Sequence, residues 1–404
     1  MESAKKKNLV LFFVLYIAYS AIYIARLNFS VASVLFQDGG ILTKAQIGII
    51  GSIFSLAYAA TKIPGGYIGD RVPSRPLIIF GLALAGISNL IIGFFPNFIT
   101  LVIFWLLNSA GQALLWGPVL RTVTEYYGLE RSKTLNQYLV SSTAFGSVLG
   151  LLITGFLSDS FGLKSCFIIP GIITLFMIIP ILVFVKNDAP EKRNEKMGNA
   201  PVEKVKSLTL RELLRDKRFL LMFLPALGHG LIKDNLNVWL PSFFADLYGI
   251  DLKSIALYVF FIPAMALIGR FLYPLFAKLF HEKHRRVTAF GFIVATLCLI
   301  PLLFFKVPPI VAVVLLGLVS AMISLCNTYI LSLFPAFYAK VWGVSLVSGL
   351  MDVFTYGGAG IGSLFFGVLI EKFGYGSMFI IWIIACLLSV IALGFMKKPK
   401  RVKA

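Results

Sequence analysis

Residues 65–75 read Gly-Gly-Tyr-Ile-Gly-Asp-Arg-Val-Pro-Ser-Arg; they close one apolar run at 45–69 and precede another at 77–95. Each run is long enough to span a membrane as a helix, which needs roughly 20 apolar residues. Charges placed between two such helices lie at the membrane surface, where they cost little free energy. The stretch therefore predicts a short basic turn between two spanning helices. Its charged residues are Asp70, Arg71 and Arg75.

The remainder of the chain repeats this pattern of long apolar runs and short polar turns. Of its 404 residues, 58% are apolar and 14% are charged, whereas soluble domains contain about 45–50% apolar and about 25% charged residues. This composition predicts an all-α membrane protein with twelve transmembrane helices. The spans are expected near 9–31, 45–69, 77–95, 98–121, 135–158, 165–186, 219–245, 253–279, 287–305, 309–333, 343–370 and 375–396.

The formal charge of +19 arises from 37 Lys and Arg residues against 18 Asp and Glu residues. Most of the basic residues lie in alternate connections between the apolar runs, and the other connections carry few or balanced charges. Because basic connections remain in the cytoplasm, we expect a multi-pass protein of the cell membrane with both termini in the cytoplasm. The charge then determines topology, and nucleic acid is not an expected partner.

One long polar segment, rich in Lys and Glu, interrupts the series of spans at 187–218. It predicts an N-terminal six-helix half at 1–186, a cytoplasmic linker at 187–218, and a pseudo-symmetric C-terminal half at 219–404 that ends in a basic cytoplasmic tail. Arg26 and Lys233 occupy comparable places in the first span of each half. Internal repeats with a site between them near the midplane are typical of secondary transporters.

Ionisable residues inside spans cost about 2.5 to 3.5 kcal/mol each on insertion scales, and they are therefore candidate functional groups. Arg26 and Lys62 lie within the first two spans, where no Asp or Glu neutralises them. We expect an anionic substrate as their partner, because guanidinium and ammonium groups bind phosphate or carboxylate. The alternative is that both cations reach backbone carbonyls or the membrane surface. Tyrosines at helical spacing add hydroxyl donors on the same faces, at Tyr19, Tyr23 and Tyr58.

In the second half, Lys233 lies within a span beside Asp234, and neighbouring residues of a helix point in different directions. Lys233 is therefore a candidate substrate ligand, or else it forms a structural ion pair with Asp352 of another span. Tyr356 follows Asp352 by one helical turn and is a further candidate ligand. Arg270 faces either a cavity or the packing between helices, and the sequence leaves both possibilities open.

The fourth span carries Gln112 and Trp116 at i, i+4, which places both on one face as candidate cavity-wall residues. Arg121 and Glu125 lie four residues apart at the cytoplasmic end of this span. We expect these two to form a gate network with the charged residues of the turn at 65–75, since charge pairs at an interface exchange between conformations. Gating or structural ion pairs are also expected for Asp234 and Asp352.

Other chemistry is not indicated by the sequence. It contains no Walker A loop for ATP. The four cysteines lie apart within apolar runs and form no metal-binding motif. We expect His229 to be a satisfied residue near a helix end rather than a proton relay. The sequence therefore predicts no metal, no cofactor and no catalysis.

Several of these residues resemble motifs of a known family. The stretch at 65–75 resembles the loop between spans two and three of the major facilitator superfamily, and the layout of the whole chain is similar to that fold. Within the superfamily, the chain looks like the organophosphate:phosphate antiporters, the bacterial carriers of glycerol phosphate and hexose phosphate. The similar motifs are Tyr19-x-x-x-Tyr23-x-x-Arg26-x-Asn28-Phe29, Tyr58-x-x-x-Lys62, Gly111-Gln112-x-x-x-Trp116-x-Pro118-x-x-Arg121, Trp239-Leu240-Pro241 and Tyr356-Gly357-Gly358.

The resemblance implies exchange of an organic phosphate ester for inorganic phosphate by alternating access. One basic residue of each half would bind the phosphoryl group; Arg26 matches the arginine of the first half, and Lys233 stands where the family has a second arginine. Phe145 stands at the place of the family's span-five histidine. The expected partners are a small organic phosphate, inorganic phosphate and the lipid bilayer, and the protein is expected to be a monomer. The expected substrate-binding residues are Arg26, Lys62, Lys233, Tyr19, Tyr23, Tyr58, Gln112, Trp116 and Tyr356.

Two alternative functions remain open at this point. A proton-coupled symporter of carboxylates or other organic anions would keep the fold, with Asp234 or Asp352 taking the proton. A transporter-like sensor of sugar phosphates is less favoured, because the short loops offer little docking surface beyond 187–218. A cation exporter is disfavoured by the basic character of the expected cavity.

Overall fold

The computed structural model describes residues 2–186, 215–336 and 344–396, apart from some side chains within them. Most of the predicted linker, from 187 to 214, and the predicted basic tail, from 397, lie outside the described residues. The side chains of Asp70 and Arg71 are also outside this description, so the gate expected there stays a prediction.

The first half consists of long helices with two internal bends. Between residues 2 and 186 the chain forms α1 (Glu2–Asp38), α2 (Lys44–Arg71), α3 (Ser74–Phe94), α4 (Phe98–Ala113), α5 (Trp116–Tyr127), α6 (Leu129–Phe176) and α7 (Ile178–Phe184). Together α4 and α5 make one crossing. The long α6 makes two crossings that turn at Gly162, where a φ of +73° favours glycine.

The second half has the same alternation of long helices and short breaks. Between 215 and 396 the described residues form α8 (Lys217–Tyr248), α9 (Leu252–Val259), α10 (Phe261–Leu279), α11 (His284–Phe304), α12 (Pro309–Asn327), α13 (Phe334–Ala336), α14 (Val344–Phe373) and α15 (Gly376–Phe395). A π-helical turn at Thr328–Leu333 continues α12. The fourth span of the first half and the spans at α9–α10 and α12–α13 are thus interrupted helices.

Nine of the described helical stretches are long and apolar enough to cross a membrane, and one of them, 134–184, crosses twice. Two more long helices, α2 and α8, complete the crossings. α8 is not among the nine because it carries Lys233, Asp234 and further polar residues at its centre, and the last turns of α2 include side chains outside the description. With these two, the described chain makes the twelve crossings that the sequence predicts, in two six-helix halves.

Equivalent helices of the two halves make equivalent contacts. The helix pair α1 and α6 corresponds to α8 and α14, and the pair α2 and α4 corresponds to α10 and α12. Glycine makes the first contact close in both halves, because a Cβ on Gly146 would overlap the backbone of Ser20, and one on Gly230 would overlap that of Thr355. This repetition confirms the predicted pseudo-symmetric halves.

The two ends of the helix bundle differ in how the halves meet. One end of the bundle carries the turn between α2 and α3, and we call it the terminal end because α1 begins there. The opposite end carries the turn between α1 and α2, and we call it the loop end. At the loop end Lys44 Nζ lies 2.6 Å from Asp246 Oδ2, and Tyr375 OH donates to the same oxygen at 2.8 Å. Gln37 Nε2 donates to Ser242 Oγ at 2.8 Å. These contacts join the first half to the second and close the loop end.

Tyr375 is suited to remain the donor in this contact. Burial and the neighbouring Asp246 carboxylate both raise the pKa of the Tyr375 phenol. Its hydroxyl therefore stays protonated at neutral pH and continues to donate to Asp246 while Lys44 balances the carboxylate charge.

We expect Gly230→Ala to destabilise the protein, although alanine favours helix formation by about 1 kcal/mol over glycine. The added methyl group would overlap the Thr355 carbonyl and push α8 away from α14. Overpacking of this kind costs about 1–3 kcal/mol, so the midpoint of thermal unfolding in detergent should fall by several degrees.

The matched control is Gly394→Ala on α15, where a Cβ would meet no atom within 4 Å. It should leave the midpoint unchanged or raise it. Equal midpoints for the two variants would show that the close contact of α8 with α14 is not a constraint.

Candidate functional site

Arg26 lies at the middle of α1, where it faces the second half. Its Nη2 atom is 3.5 Å from Asp234 Oδ1 of α8, and its side chain is 12% exposed. Its guanidinium carbon lies 4.7 Å from the ring centroid of Phe54, 5.5 Å from that of Tyr58 and 6.0 Å from that of Tyr356. Aromatic faces attract cations, so helices of both halves hold the guanidinium in place.

Asp234 is shared by two cations. Its Oδ1 atom lies 3.5 Å from Arg26 Nη2 and 3.7 Å from Lys233 Nζ. Its Oδ2 atom is buried and has no hydrogen-bond partner. The expectation that only a substrate would neutralise Arg26 is therefore corrected: a carboxylate of the opposite half does so in part. The three groups together retain one positive charge.

Lys62 has an acidic partner from the opposite half as well. Its Nζ atom lies 3.9 Å from Asp352 Oδ2 of α14 and 5.4 Å from the ring centroid of Tyr58. The rings of Tyr58 and Tyr356 are 4.3 Å apart, centroid to centroid. Asp352 thus pairs with Lys62 rather than with Lys233, and the Lys233 to Asp352 pair left open by the sequence is not formed.

A cavity of about 130 Å³ lies between the halves beside these charges. Of the predicted ligands, Tyr23, Arg26 and Lys233 line it, together with Asp234. Other polar residues that the sequence reasoning did not select also reach the cavity wall. They are Ser30, Ser55, Thr143, Ser147, Asn237, Ser320 and Ser324. Most of them are serine or threonine residues inside apolar spans, and this feature of the sequence could have identified them.

The remaining predicted ligands lie behind or beside this lining. The rings of Tyr19 and Trp116 pack 4.7 Å apart, and Tyr19 also packs against Tyr23. Gln112 is buried and donates through Nε2 to Asn108 Oδ1 at 2.9 Å. These residues support the cavity wall in this conformation, and a direct contact with substrate stays a prediction for them.

A cluster of buried asparagines positions the part of α1 that carries Arg26. The Ala25 carbonyl accepts hydrogen bonds from Asn89 Nδ2 at 3.2 Å and from Asn108 Nδ2 at 3.1 Å. Asn28 Nδ2 donates to Asn89 Oδ1 at 2.8 Å and to the Cys166 carbonyl at 2.9 Å. α1 is thereby fixed to α3, α4 and α6. Amide side chains within apolar runs are the sequence signal that could have identified this cluster.

The structure also places two polar residues of the second half, His229 and Arg270. His229 lies within α8 and is fully buried, and neither ring nitrogen has a hydrogen-bond partner, so the expectation of a satisfied residue near a helix end is wrong. Arg270 lines the cavity, and its Nε atom donates to Ser324 Oγ at 3.1 Å. Arg270 is therefore a cavity residue and not only a packing residue.

Residues 9–347 match the family model described as the Major Facilitator Superfamily. The chain belongs to that superfamily. It is a multi-pass membrane transporter, as the sequence predicts, rather than an enzyme.

Two relatives bear names of the kind that the motifs suggest. A protein named glycerol-3-phosphate transporter, from Bacillus subtilis (strain 168), is 25% identical over 426 residues, which cover 97% of this chain and 93% of that protein. A probable hexose phosphate transport protein from Chlamydia pneumoniae is 30% identical over 210 residues, or 51% of this chain. The match spans 45% of that second relative, about half its length. Relatives with these names confirm the resemblance to the organophosphate carriers.

Solved structures of the superfamily share the fold. The nucleoside transporter NupG matches with a TM-score of 0.78 at 13% identity, covering 98% of this chain and 100% of that chain. A bacterial homolog of the human lysosomal transporter Spinster, in an inward-facing and unoccupied conformation, matches with a TM-score of 0.75 at 18% identity, covering 96% and 95%. The major facilitator fold predicted from the sequence is confirmed.

One contact at the terminal end joins α5 to the turn between α2 and α3. Arg121 Nη1 of α5 donates to the Val72 carbonyl at 3.3 Å, which brings the end of the fourth span to the turn at 65–75. Arg75 is half-buried at the start of α3. A network that joins Arg121 and Glu125 to the charges of the turn stays a prediction.

We expect Lys62 and Asp352 to be energetically coupled across the two halves. Lys62→Gln and Asp352→Asn each leave a partly buried charge unpaired, whereas the double variant removes both charges. The double variant should therefore lose less stability than the sum of the single losses, by about 0.5–3 kcal/mol. Thermal unfolding of the four proteins in detergent measures the difference.

Lys278→Gln provides the control, because Lys278 is an exposed cation on α10. The loss of stability caused by Lys278→Gln should add to the loss caused by Asp352→Asn. Additive losses for the Lys62 and Asp352 variants would mean that the pair does not link the halves.

Proposed function

We propose that the protein exchanges a small phosphorylated organic anion for inorganic phosphate across the cell membrane by alternating access. The observation that carries this proposal is the charge of the central cavity. Its lining contains Arg26 and Lys233, one from each half, and these two cations share the single carboxylate of Asp234. The names of the glycerol phosphate and hexose phosphate relatives support a phosphate ester as the anion.

The phosphoryl group binds between Arg26 and Lys233. Arginine presents a planar pair of donors to phosphate oxygens, and lysine adds a point charge. Asp234 shares these two cations in the absence of substrate, and the anion replaces it as their partner. The hydroxyl of Tyr23 is a further donor at the cavity wall, and the rings of Tyr58 and Tyr356 hold the Arg26 guanidinium.

Exchange follows from the charge balance of the cavity. Without an anion, the excess positive charge of Arg26 and Lys233 over Asp234 opposes closure of the terminal end. A bound phosphate removes this excess charge and permits the halves, 1–186 and 219–404, to rock about the site, while 187–218 connects them. Because either phosphate or its ester satisfies Arg26 and Lys233, the carrier returns loaded in both directions. It acts as a monomer, since the cavity is formed within one chain.

The terminal end faces the cytoplasm in this proposal. The basic connections of the sequence lie there. Lys44, Asp246 and Tyr375 then close the outer end. In the outward-facing state, Asp70, Arg71, Arg75, Arg121 and Glu125 form the inner gate.

A second candidate function keeps the fold and changes the coupling. A probable sulfoacetate transporter from Cupriavidus necator is 26% identical over 93% of this chain and 90% of that protein. A symporter of such organic anions needs a proton-accepting group, and the unpartnered Oδ2 atom of Asp234 supplies one. In this case an imposed pH gradient drives uptake without a counter-substrate.

In proteoliposomes loaded with inorganic phosphate, the protein should take up labelled external phosphate, and empty liposomes should not. Arg26→Gln and Lys233→Gln should lower the exchange rate by about 100-fold or more, because each removes a charge-assisted contact worth roughly 3 kcal/mol. Arg26→Lys should retain part of the activity, since it keeps the charge and loses the fork. Lys278→Gln, which removes an exposed cation, should be neutral.

Uptake that needs no internal phosphate and is driven by a pH gradient would show that the protein is a symporter and not an exchanger. Unchanged exchange in Arg26→Gln and Lys233→Gln would exclude these residues as the phosphate ligands.

A reducible bifunctional thiol cross-linker that joins Gln37→Cys to Ser242→Cys should lock the loop end shut and abolish exchange. The native side chains touch, with Nε2 and Oγ 2.8 Å apart, so a linker of a few atoms replaces the length of the glutamine side chain. Reduction should restore transport. Each single variant serves as a control, and the four native cysteines are buried. Full activity of the cross-linked double variant would show that the loop end does not open during transport.

A further inference from the structure

Arg270 is a cation of the cavity wall that the proposed phosphate site does not use. It lies on α10, in the second crossing of the second half, and its side chain is half-buried. Its Nε atom donates to Ser324 Oγ at 3.1 Å. Among the residues that the structure describes, no carboxylate lies within ion-pair distance of Arg270. The other donors of the guanidinium are free to bind a ligand.

The contrast with the other membrane cations is direct. Arg26 and Lys233 share Asp234, and Lys62 pairs with Asp352. An unpaired charge within a span costs several kcal/mol, and such a cost is offset when an anion occupies the site. Arg270 therefore stands out among the described cavity residues as a cation whose partner is not part of the protein.

Helix packing fixes Arg270 at this wall. The preceding residue, Gly269, packs so closely on α12 that a Cβ would overlap the Ala321 carbonyl. Ser320 of α12 donates to the Ile262 carbonyl of α10 at 3.0 Å. α10 and α12 therefore move as one unit, and Ser324 holds the guanidinium from the same unit.

Arg270 is held by a different pair of helices from Arg26 and Lys233, although all three line one cavity. Those two residues belong to α1 and α8 and are joined through Asp234, whereas Arg270 and Ser324 belong to α10 and α12. The cavity thus has two cationic positions, held by different helix pairs. A single phosphate group would leave the second position unmatched.

We propose that Arg270 is a second anion-binding subsite, and that the transported organic anion is a phosphate ester that also carries a carboxylate. The phosphoryl group occupies the position between Arg26 and Lys233, and the carboxylate binds the Arg270 guanidinium. A carboxylate fits better than a second phosphoryl group, because its single charge equals that of the one unpaired cation. The inference rests on the proposed function and specifies its substrate class.

Binding of three ligands to the purified full chain tests the subsite. Inorganic phosphate, glycerol 3-phosphate and 3-phosphoglycerate are titrated by calorimetry in detergent. The two esters have the same three-carbon skeleton and differ in a hydroxymethyl group against a carboxylate. The wild-type protein should bind 3-phosphoglycerate at least about 10-fold more tightly than glycerol 3-phosphate, since a site built for a charged group discriminates against an analogue that lacks it.

Arg270→Gln should remove this preference and leave the Kd of phosphate and of glycerol 3-phosphate within about 3-fold of wild type, because it alters only the second position. Arg270→Lys should retain most of the preference for 3-phosphoglycerate. Ser324→Ala should retain part of this preference, because the variant removes only the hydroxyl that orients the guanidinium. Lys278→Gln removes an exposed charge from the same helix and should change none of the three affinities.

Three results would overturn the inference. Equal wild-type affinity for the two esters would show that no carboxylate subsite exists, while phosphate binding would keep the proposed function intact. If correctly folded Arg270→Gln lost affinity equally for all three ligands, Arg270 would belong to the phosphate site itself. Absence of phosphate binding in wild type would remove the proposed function and the subsite together, and phosphate exchange in proteoliposomes would then be absent as well.

Discussion

The burial of the Arg26 guanidinium between the two halves is the constraint on which the rest of the arrangement depends. A charge at this depth is stable only with a partner, and its partner, Asp234, lies on the first helix of the other half. Lys62 and Asp352 repeat the arrangement on another pair of helices. The contacts that neutralise the cations are therefore the same contacts that hold the halves together, so an anion that competes for them alters the position of the halves.

Close helix packing makes this electrostatic arrangement possible. Glycines bring α1 to α6 and α8 to α14 at backbone contact, and the Ala25 carbonyl is held by two asparagine amides. The helix that carries Arg26 is thus rigid within its own half. In the proposed transport cycle, motion is concentrated at the contacts between halves, where side-chain pairs such as Lys44 with Asp246 separate and form again without unfolding a helix.

Much of the fold could be predicted from the sequence, because apolar runs record membrane crossings directly. The twelve spans, the symmetric halves and the cavity positions of Tyr23, Arg26 and Lys233 were recognised in this way. The pairing of the charges was not, since Arg26 and Asp234 are 208 positions apart and meet only in the folded bundle. The sequence left open whether Arg270 faces the cavity for the same reason, because the positions of the neighbouring helices determine which helix face lines the cavity.

The polarity of α8 has a consequence for how the chain enters the membrane. This long helix carries Lys233 and Asp234 at its centre, and it is not among the nine described stretches that length and composition alone would place in a bilayer. It needs neighbouring helices already in place to shield its polar residues. For α8, the opening helix of the second half, one such shield is α1, through Arg26. The halves are accordingly interdependent during biogenesis, and the second half synthesised alone would insert its first helix poorly.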